Sequence, residues 1–208
     1  MHVKVPHIGQ GGNHRLSLRC PACRQVGTLE PLHNFPDLFT GTLFTGQRRC
    51  PNTACYLQTF VIYDETGRVV RSYPPELIDF DSTHIPPKIS ETFSEALSCR
   101  AESLHVAAAI MIRRTLEELC QDKGARGPTL KERLSALQAN VVLPTSLFSA
   151  LDDLRLLGND AAHVEAKTFE AIGDEELDVA IELTKEILKA VYQLDDLVAR
   201  LRALKRDA

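Results

Sequence analysis

The sequence predicts an α+β chain that is mainly α, and three observations carry this. The texture changes near residue 86: before it, prolines and glycines are scattered among short β-type runs, and after it long helical periodicities dominate. Two short cysteine-paired turns fall in the first third, at 20–23 and 50–55. The length of 208 residues suits one sizeable domain or two small ones, and 44% hydrophobic with 25% charged residues is the composition of a packed chain. The expected organisation is a β-rich unit over 1–73, a proline-rich linker over 74–88 and a helical bundle over 89–208.

Taken in order, residues 1–14 contain Gly9, Gly11 and Gly12 and little to pack, which reads as a loose arm. The β-branched and aromatic run LQTFVIY at 57–63 is followed by Asp64-Glu65-Thr66-Gly67 and then by RVVRSY, a hairpin with a four-residue loop. Pro74-Pro75 and Pro86-Pro87 bracket an extended linker, because a residue before proline is pushed out of the α region. A first helix is expected over 89–98. A second, over 101–121, carries Leu104, Ala108, Met111, Ile112, Thr115, Leu116 and Leu119 as one apolar stripe. Gly124 and Gly127 suit its exit. Thr129 caps a short helix over 130–139, with Glu132 at the capping-box position. Pro144-Thr145 starts another, through Leu147, Leu151 and Leu154.

The last helix, after Gly173-Asp174, is expected to run unbroken over 174–205, about 48 Å. Leu177, Ala180, Thr184, Ile187, Val191, Leu194, Val198 and Leu201 form a heptad stripe along it. Two readings stay open: a long helix packed on its own chain, and a subunit interface over its second half, giving a homodimer through the C-terminal helix.

Cys20-Pro21-Ala22-Cys23 and Cys50-Pro51-Asn52-Thr53-Ala54-Cys55 form two knuckles, C-x2-C and C-x4-C, separated by residues 24–49. Each turn aims two sulfurs to one side, and two facing turns complete a tetrahedron of the kind that holds one structural zinc ion in a zinc ribbon. The spacer has room for a small strand pair or loop. A redox role for the C-x-x-C lacks a surrounding βαβ pattern. A catalytic zinc would need an open position, and four thiolates leave none. Cys99 and Cys120 lie on expected helices and read as small core residues.

Charge limits the partners. Residues 1–88 carry nine Lys/Arg against seven Asp/Glu, a formal +2, and residues 89–208 carry fifteen against twenty-one, a formal −6. Zinc on four thiolates contributes −2 and cancels the small excess of the first part. Arg15, Arg19, Arg24, Arg48 and Arg49 crowd the knuckles, with His14 nearby; they fit a phosphate-binding patch or a solvated surface. Phe35, Phe39 and Phe44 are expected to pack the ribbon. No apolar run approaches the ~20 residues of a membrane span, and the N-terminus lacks the apolar stretch of a signal peptide. The expected location is a reducing cytoplasm, where paired cysteines mean metal or buried thiols.

The segment LRLLGNDAAH at 154–163 is the most unusual. On a helix, Arg155, Asn159 and His163 share one face, with Asp152 and Asp160 at its flanks. Gly158 lets something approach closely, or ends the helix. Such a cluster fits a catalytic site and equally a hydrogen-bonded network pinning two helices.

PPELIDF at 74–80, IPPKISETFSEAL at 85–97, RRTLEELCQDKGARGPTLKERL at 113–134 and LRLLGNDAAH at 154–163 together resemble the domain-of-unknown-function family 4145, over roughly residues 74–195. The resemblance implies a prokaryotic protein with a cysteine-rich segment before its helices, encoded alone or beside restriction-enzyme subunits. The helical part in turn resembles the HEPN superfamily of antiparallel bundles, which often dimerise. Many of those are metal-independent ribonucleases with an Arg, four to six residues, then a His. Arg155 and His163 match the residue types, but seven residues separate them, and the polar residue usually beside the Arg stands at Asn159. In that chemistry His163 would move the proton of a ribose 2′-hydroxyl, Arg155 would neutralise charge on phosphorus, and Asn159 and Asp160 would orient the pair. The altered spacing favours a non-enzymatic interaction or regulatory module in defence or nucleic-acid metabolism, with a protein or RNA partner. A ribonuclease or toxin is the second reading, and a zinc-ribbon nucleic-acid binder the third.

Overall fold

The computed structural model describes residues 9–10, 14–162 and 172–204. The chain divides into two compact units, Met1–Leu77 and Ile78–Ala208, the boundary falling within the proline-bracketed segment.

The first unit is one antiparallel sheet: β1 Gly9–Gln10, β2 Leu16–Arg19, β3 Val26–Pro31, β4 Leu38–Thr40, β5 Leu43–Arg49, β6 Gln58–Asp64 and β7 Val69–Tyr73. β5 is its spine. Along one edge it pairs with β6, from Leu43↔Asp64 to Arg49↔Gln58. Along the other it takes β4 first and then β3, through Pro31↔Arg48 and Glu30↔Arg49. Alternation along the strands sends Leu16, Leu18, Leu29, Val61 and Tyr63 into one core, with Phe44 and Val69 against it. Each such buried side chain contributes about 1.5–3 kcal/mol before chain entropy is counted.

The β6–β7 hairpin turns where the sequence places it. Asp64 N–H donates to Arg68 O at 3.0 Å, Gly67 N–H donates to Asp64 O at 2.9 Å, and Gly67 takes a φ of 82°. The expected loose arm is corrected in part. Gly9 and Gln10 pair with Phe39 and Leu38, and the His14 ring lies 5.5 Å from Phe44 and 5.6 Å from Tyr63. The rest of the arm, 1–8 and 11–13, lies outside the described residues. Phe44 packs against the core of the sheet as expected. Phe39 meets its ring at 5.7 Å but stays 37% exposed, and Phe35 is 54% exposed, so neither is a core residue of the ribbon.

The second unit holds α1 Pro87–Ala101, α2 His105–Asp122, α3 Leu130–Leu137, α4 Thr145–Ala162, α5 Asp174–Tyr192 and α6 Leu194–Ala203. α1 starts with proline in its first turn, where a missing N–H costs nothing. Its end is a Schellman turn: Ser103 N–H reaches Arg100 O and Leu104 N–H reaches Cys99 O, with Ser103 at φ 58°. α2 ends the same way on Gly124, at φ 67°. α3 has the expected capping box between Thr129 and Glu132. α2 is the central helix and packs on α1, α3, α4 and α5. Its Ala108, Ile112, Leu116, Leu119 and Cys120 are fully buried, with Cys99 half-buried at the rim of the same core. Leu104 is exposed, because α2 begins only after it. Ile78, Phe80 and Ile85 from the expected linker pack into this core, Phe80 meeting Phe93 edge-on at 4.7 Å.

The last helix is not continuous. It breaks at Gln193, where φ is −109° and the side-chain amide donates to Asp81 O at 2.9 Å and to Thr83 O at 3.0 Å. The heptad stripe changes character there. Leu177, Ala180, Thr184 and Ile187 on α5 are buried in their own unit, whereas Leu194, Val198 and Leu201 on α6 are exposed. Among the described residues no helix is long and apolar enough to cross a membrane.

Candidate metal centre and the polar face of α4

Both knuckles sit in turns that close hairpins. The first joins β2 to β3, beyond the Arg19↔Val26 pair, and the second joins β5 to β6, beyond Arg49↔Gln58. Cys20 N–H donates to Gln25 O at 3.0 Å and Arg24 N–H to Cys20 O at 2.9 Å. Cys50 N–H donates to Leu57 O and Cys55 N–H to Asn52 O, each at 2.9 Å. The residue after each second cysteine, Arg24 or Tyr56, turns the chain through positive φ, 61° and 51°.

The four sulfurs converge within 4.8 Å of one another. Cys20 Sγ lies 3.7 Å from Cys55 Sγ, and Cys23 Sγ 3.7 Å from Cys50 Sγ. All six cysteines are free thiols, so neither contact is a disulfide. A tetrahedron with metal–sulfur bonds of ~2.3 Å has edges of ~3.8 Å. The cluster therefore fits a four-coordinate metal ion, and the sequence spacing located all four of its members. Cys20 and Cys50 are buried and Cys23 and Cys55 half-buried, and four sulfurs would complete the shell of a four-coordinate ion. The thiols start from unlike states: the Gln25 backbone N–H draws Cys23 down to about 7, whereas burial pushes Cys50 up to about 12. A bound cation takes all four as thiolates and releases their protons.

The arginines near the knuckles have distinct roles. Arg48 is fully buried and not a phosphate ligand. Its guanidinium forms a fork on Asp37, at 2.8 and 2.5 Å, and the Tyr63 hydroxyl donates to the same carboxylate. Burial opposes its charge, but the Asp37 carboxylate outweighs that and holds the Arg48 pKa above its ordinary value. Burial, then Asp37, likewise pushes the Tyr63 hydroxyl up. Gly46 makes room for the pair: a Cβ there would lie 1.9 Å from Asp37 Oδ1 and 2.7 Å from Arg48 Nη1. Arg19 meets Glu76 at 3.8 Å and Arg49 meets Glu30 at 3.1 Å. Arg15, Arg24 and His14 are exposed.

On α4, Arg155 Nε donates to Asp152 Oδ1 at 2.7 Å, which holds the Asp152 carboxyl below its usual range. The Asn159 side-chain oxygen accepts from Arg113 Nη1 of α2. Gly158 is buried against the stem of that same arginine: a Cβ would come 2.5 Å from Arg113 Cβ. The glycine therefore admits a neighbouring helix and does not end its own. Asp160 is half-buried. His163 lies outside the described residues, so the set Arg155, Asn159, Asp160 and His163 is placed only in its first three members. Arg113 is not legible from sequence because its i,i+4 pairing with Glu117 (3.3 Å) makes it read as an ordinary surface residue.

Comparison with known proteins places the helical unit. No curated protein and no solved structure gives a significant match. A protein family described as Domain of unknown function (DUF4145) matches residues 94–204, more than half of the chain. That span starts about 20 residues later than the resemblance read from the motifs, within α1, and runs through α6. The chain belongs to the DUF4145 family.

Proposed function

We propose that this chain is a zinc-binding, non-enzymatic interaction module of prokaryotic defence or nucleic-acid metabolism, working in a reducing cytoplasm, with a helical unit of the HEPN type. The observation that carries the metal is the tetrahedral convergence of Cys20, Cys23, Cys50 and Cys55. Four thiolates suit zinc, and an all-sulfur shell is structural because no position is left for substrate. The non-enzymatic reading is supported by the ties of Asn159 to Arg113 and of Arg155 to Asp152, with Gly158 seating Arg113 between α2 and α4. The Arg113 contacts are those of a strut between α2 and α4, and the Arg155–Asp152 pair occupies the arginine within α4 itself. A homodimer through α6 is the expected assembly, supported by the exposed stripe of Leu194, Leu197, Val198, Leu201 and Leu204.

One experiment tests metal and chemistry together. Purified chain is analysed for metal content and free thiols, then incubated with varied RNAs before and after a zinc chelator, with folding followed in the same tube. The expected result is one zinc per chain, four protected thiols, loss of the first unit on chelation, and no RNA cleavage. Four freely titratable thiols in folded protein would remove the metal reading. Cleavage that survives chelation and disappears in His163→Ala would replace the module with the metal-independent ribonuclease.

A further inference from the structure

We infer that the outer face of the β5–β6–β7 sheet is a platform for single-stranded nucleic acid, whose bases stack on Phe60 and Tyr73 and whose phosphates meet Arg49 and Arg71. This goes beyond the interaction-module reading and does not depend on which metal the knuckles hold.

Strand register assembles the face. Phe60 is the cross-strand partner of both Gln47 on β5 and Tyr73 on β7, so the three form one row on one side of the sheet. Two residues along, on the same side, Arg49 stands opposite Gln58; two residues the other way, Thr45, Ile62 and Arg71 form the next row. Phe60 and Tyr73 are 42% and 39% exposed, side by side, while Ile62 in the next row of the same face is buried, so the open part of the face is the Phe60–Tyr73 row and its arginine flanks. Adjacent exposed rings on a sheet are costly to leave bare, and every base has a π-face that fits them.

The cations are held by rings. The Arg71 guanidinium lies 5.9 Å from the Tyr73 ring centroid, and that of Arg49 lies 5.6 Å from the ring of Tyr56, itself 51% exposed. A guanidinium lying over an aromatic has its plane oriented by the ring, and phosphate oxygens bind at its edge. Aromatics, guanidiniums and the amides of Gln47 and Gln58 thus alternate across the face. A protein partner's apolar knob would want contiguous aliphatic surface, which this face lacks. The field is small: Met1–Leu77 carries eight Lys/Arg against five Asp/Glu, a divalent metal on four thiolates would contribute −2, and Glu30 shares Arg49. Stacking must therefore supply more of the binding than charge, and the sheet should prefer unpaired strands to duplex, whose base faces are already stacked.

The test uses the full metal-loaded chain and fluorescence anisotropy. The probes are labelled oligouridine and oligothymidine of about 12 nucleotides and a duplex of the same length. Both single strands should bind, the duplex much more weakly, and log Kd should vary with log salt by only about 1.4, for two phosphate contacts. Phe60→Leu and Tyr73→Leu keep an apolar body but remove the ring, and each should weaken binding by roughly tenfold or more. Metal content and protection of the four knuckle thiols, unchanged in both variants, would show that the sheet unit is intact, and unchanged far-UV circular dichroism that the helical unit is. The proposal is overturned if neither strand binds at tens of micromolar protein. It is overturned equally if the ring variants bind as well as the parent or if duplex binds as tightly as single strand. If Phe60→Leu instead dissociates a self-associated form in sedimentation while leaving oligonucleotide binding unchanged, the face is a protein contact and the inference fails.

Discussion

Replacing Gly158 by alanine separates a strut from a site. Gly158 lies inside α4, so alanine alone would favour the helix by ~1 kcal/mol. The packing works against it: the new Cβ would lie 2.5 Å from Arg113 Cβ, 3.1 Å from Cδ and 3.2 Å from Cγ. The nearest of these atoms is the root of the side chain, which no rotamer change moves. Relief requires α2 and α4 to part, loosening Leu154 and Leu157 in the shared core and drawing Arg113 from Asn159. A Cβ–Cβ approach of 2.5 Å puts the cost in the upper part of the ~1–3 kcal/mol typical of overpacking, ~2–3 kcal/mol, and less the helix gain the net loss should be ~1–2 kcal/mol. All six described helices lie in the second unit, so urea unfolding followed at 222 nm reports on it, and the midpoint should fall by ~0.5–1 M. Arg113→Gly removes the Cβ together with the stem that clashes. In that background Gly158→Ala should be neutral or stabilising by up to ~1 kcal/mol, a coupling of at least ~1 kcal/mol. An unchanged or raised midpoint for Gly158→Ala alone would refute the reasoning, because α4 would then not be seated on Arg113.

Three further outcomes are expected. Gly46→Ala should destabilise the first unit by ~3–5 kcal/mol, the range for breaking a buried ion pair, because its Cβ would displace Asp37 from Arg48; thermal melting of the metal-loaded chain measures it. Ser103→Gly should stabilise the second unit by ~0.5–1 kcal/mol, since Ser103 holds φ 58° in the turn after α1 where glycine carries no Cβ penalty; a fall in the urea midpoint would count against that turn. Light scattering should give twice the 23.1 kDa chain mass, and Leu201→Glu, at a position 66% exposed in the isolated chain, should return the monomer mass without changing helix content.

Local chemistry made parts of this protein legible in its sequence. The knuckle cysteines could be paired from spacing because a short turn fixes where two sulfurs point. The hairpin at Asp64–Gly67, the Thr129–Glu132 box and the exit at Gly124 could be read because each is satisfied by bonds within a few residues. Periodicity marked the buried stripe of α2 for the same reason: it is a property of one helix. Tertiary structure decided what depends on partners distant in sequence. β3, β4 and β5 were hidden in the spacer because the β5 pattern contains a buried arginine, and Arg48 reads as a surface residue until Asp37 and Tyr63 are brought to it. The unbroken last helix gave way at Gln193 because carbonyls of Asp81 and Thr83, more than a hundred residues earlier, accept its amide. The polar face of α4 was visible as a row of residue types. Its partner, Arg113, became evident only when α2 was laid against Gly158, because a helix's sequence fixes which residues share a face and not what the face meets.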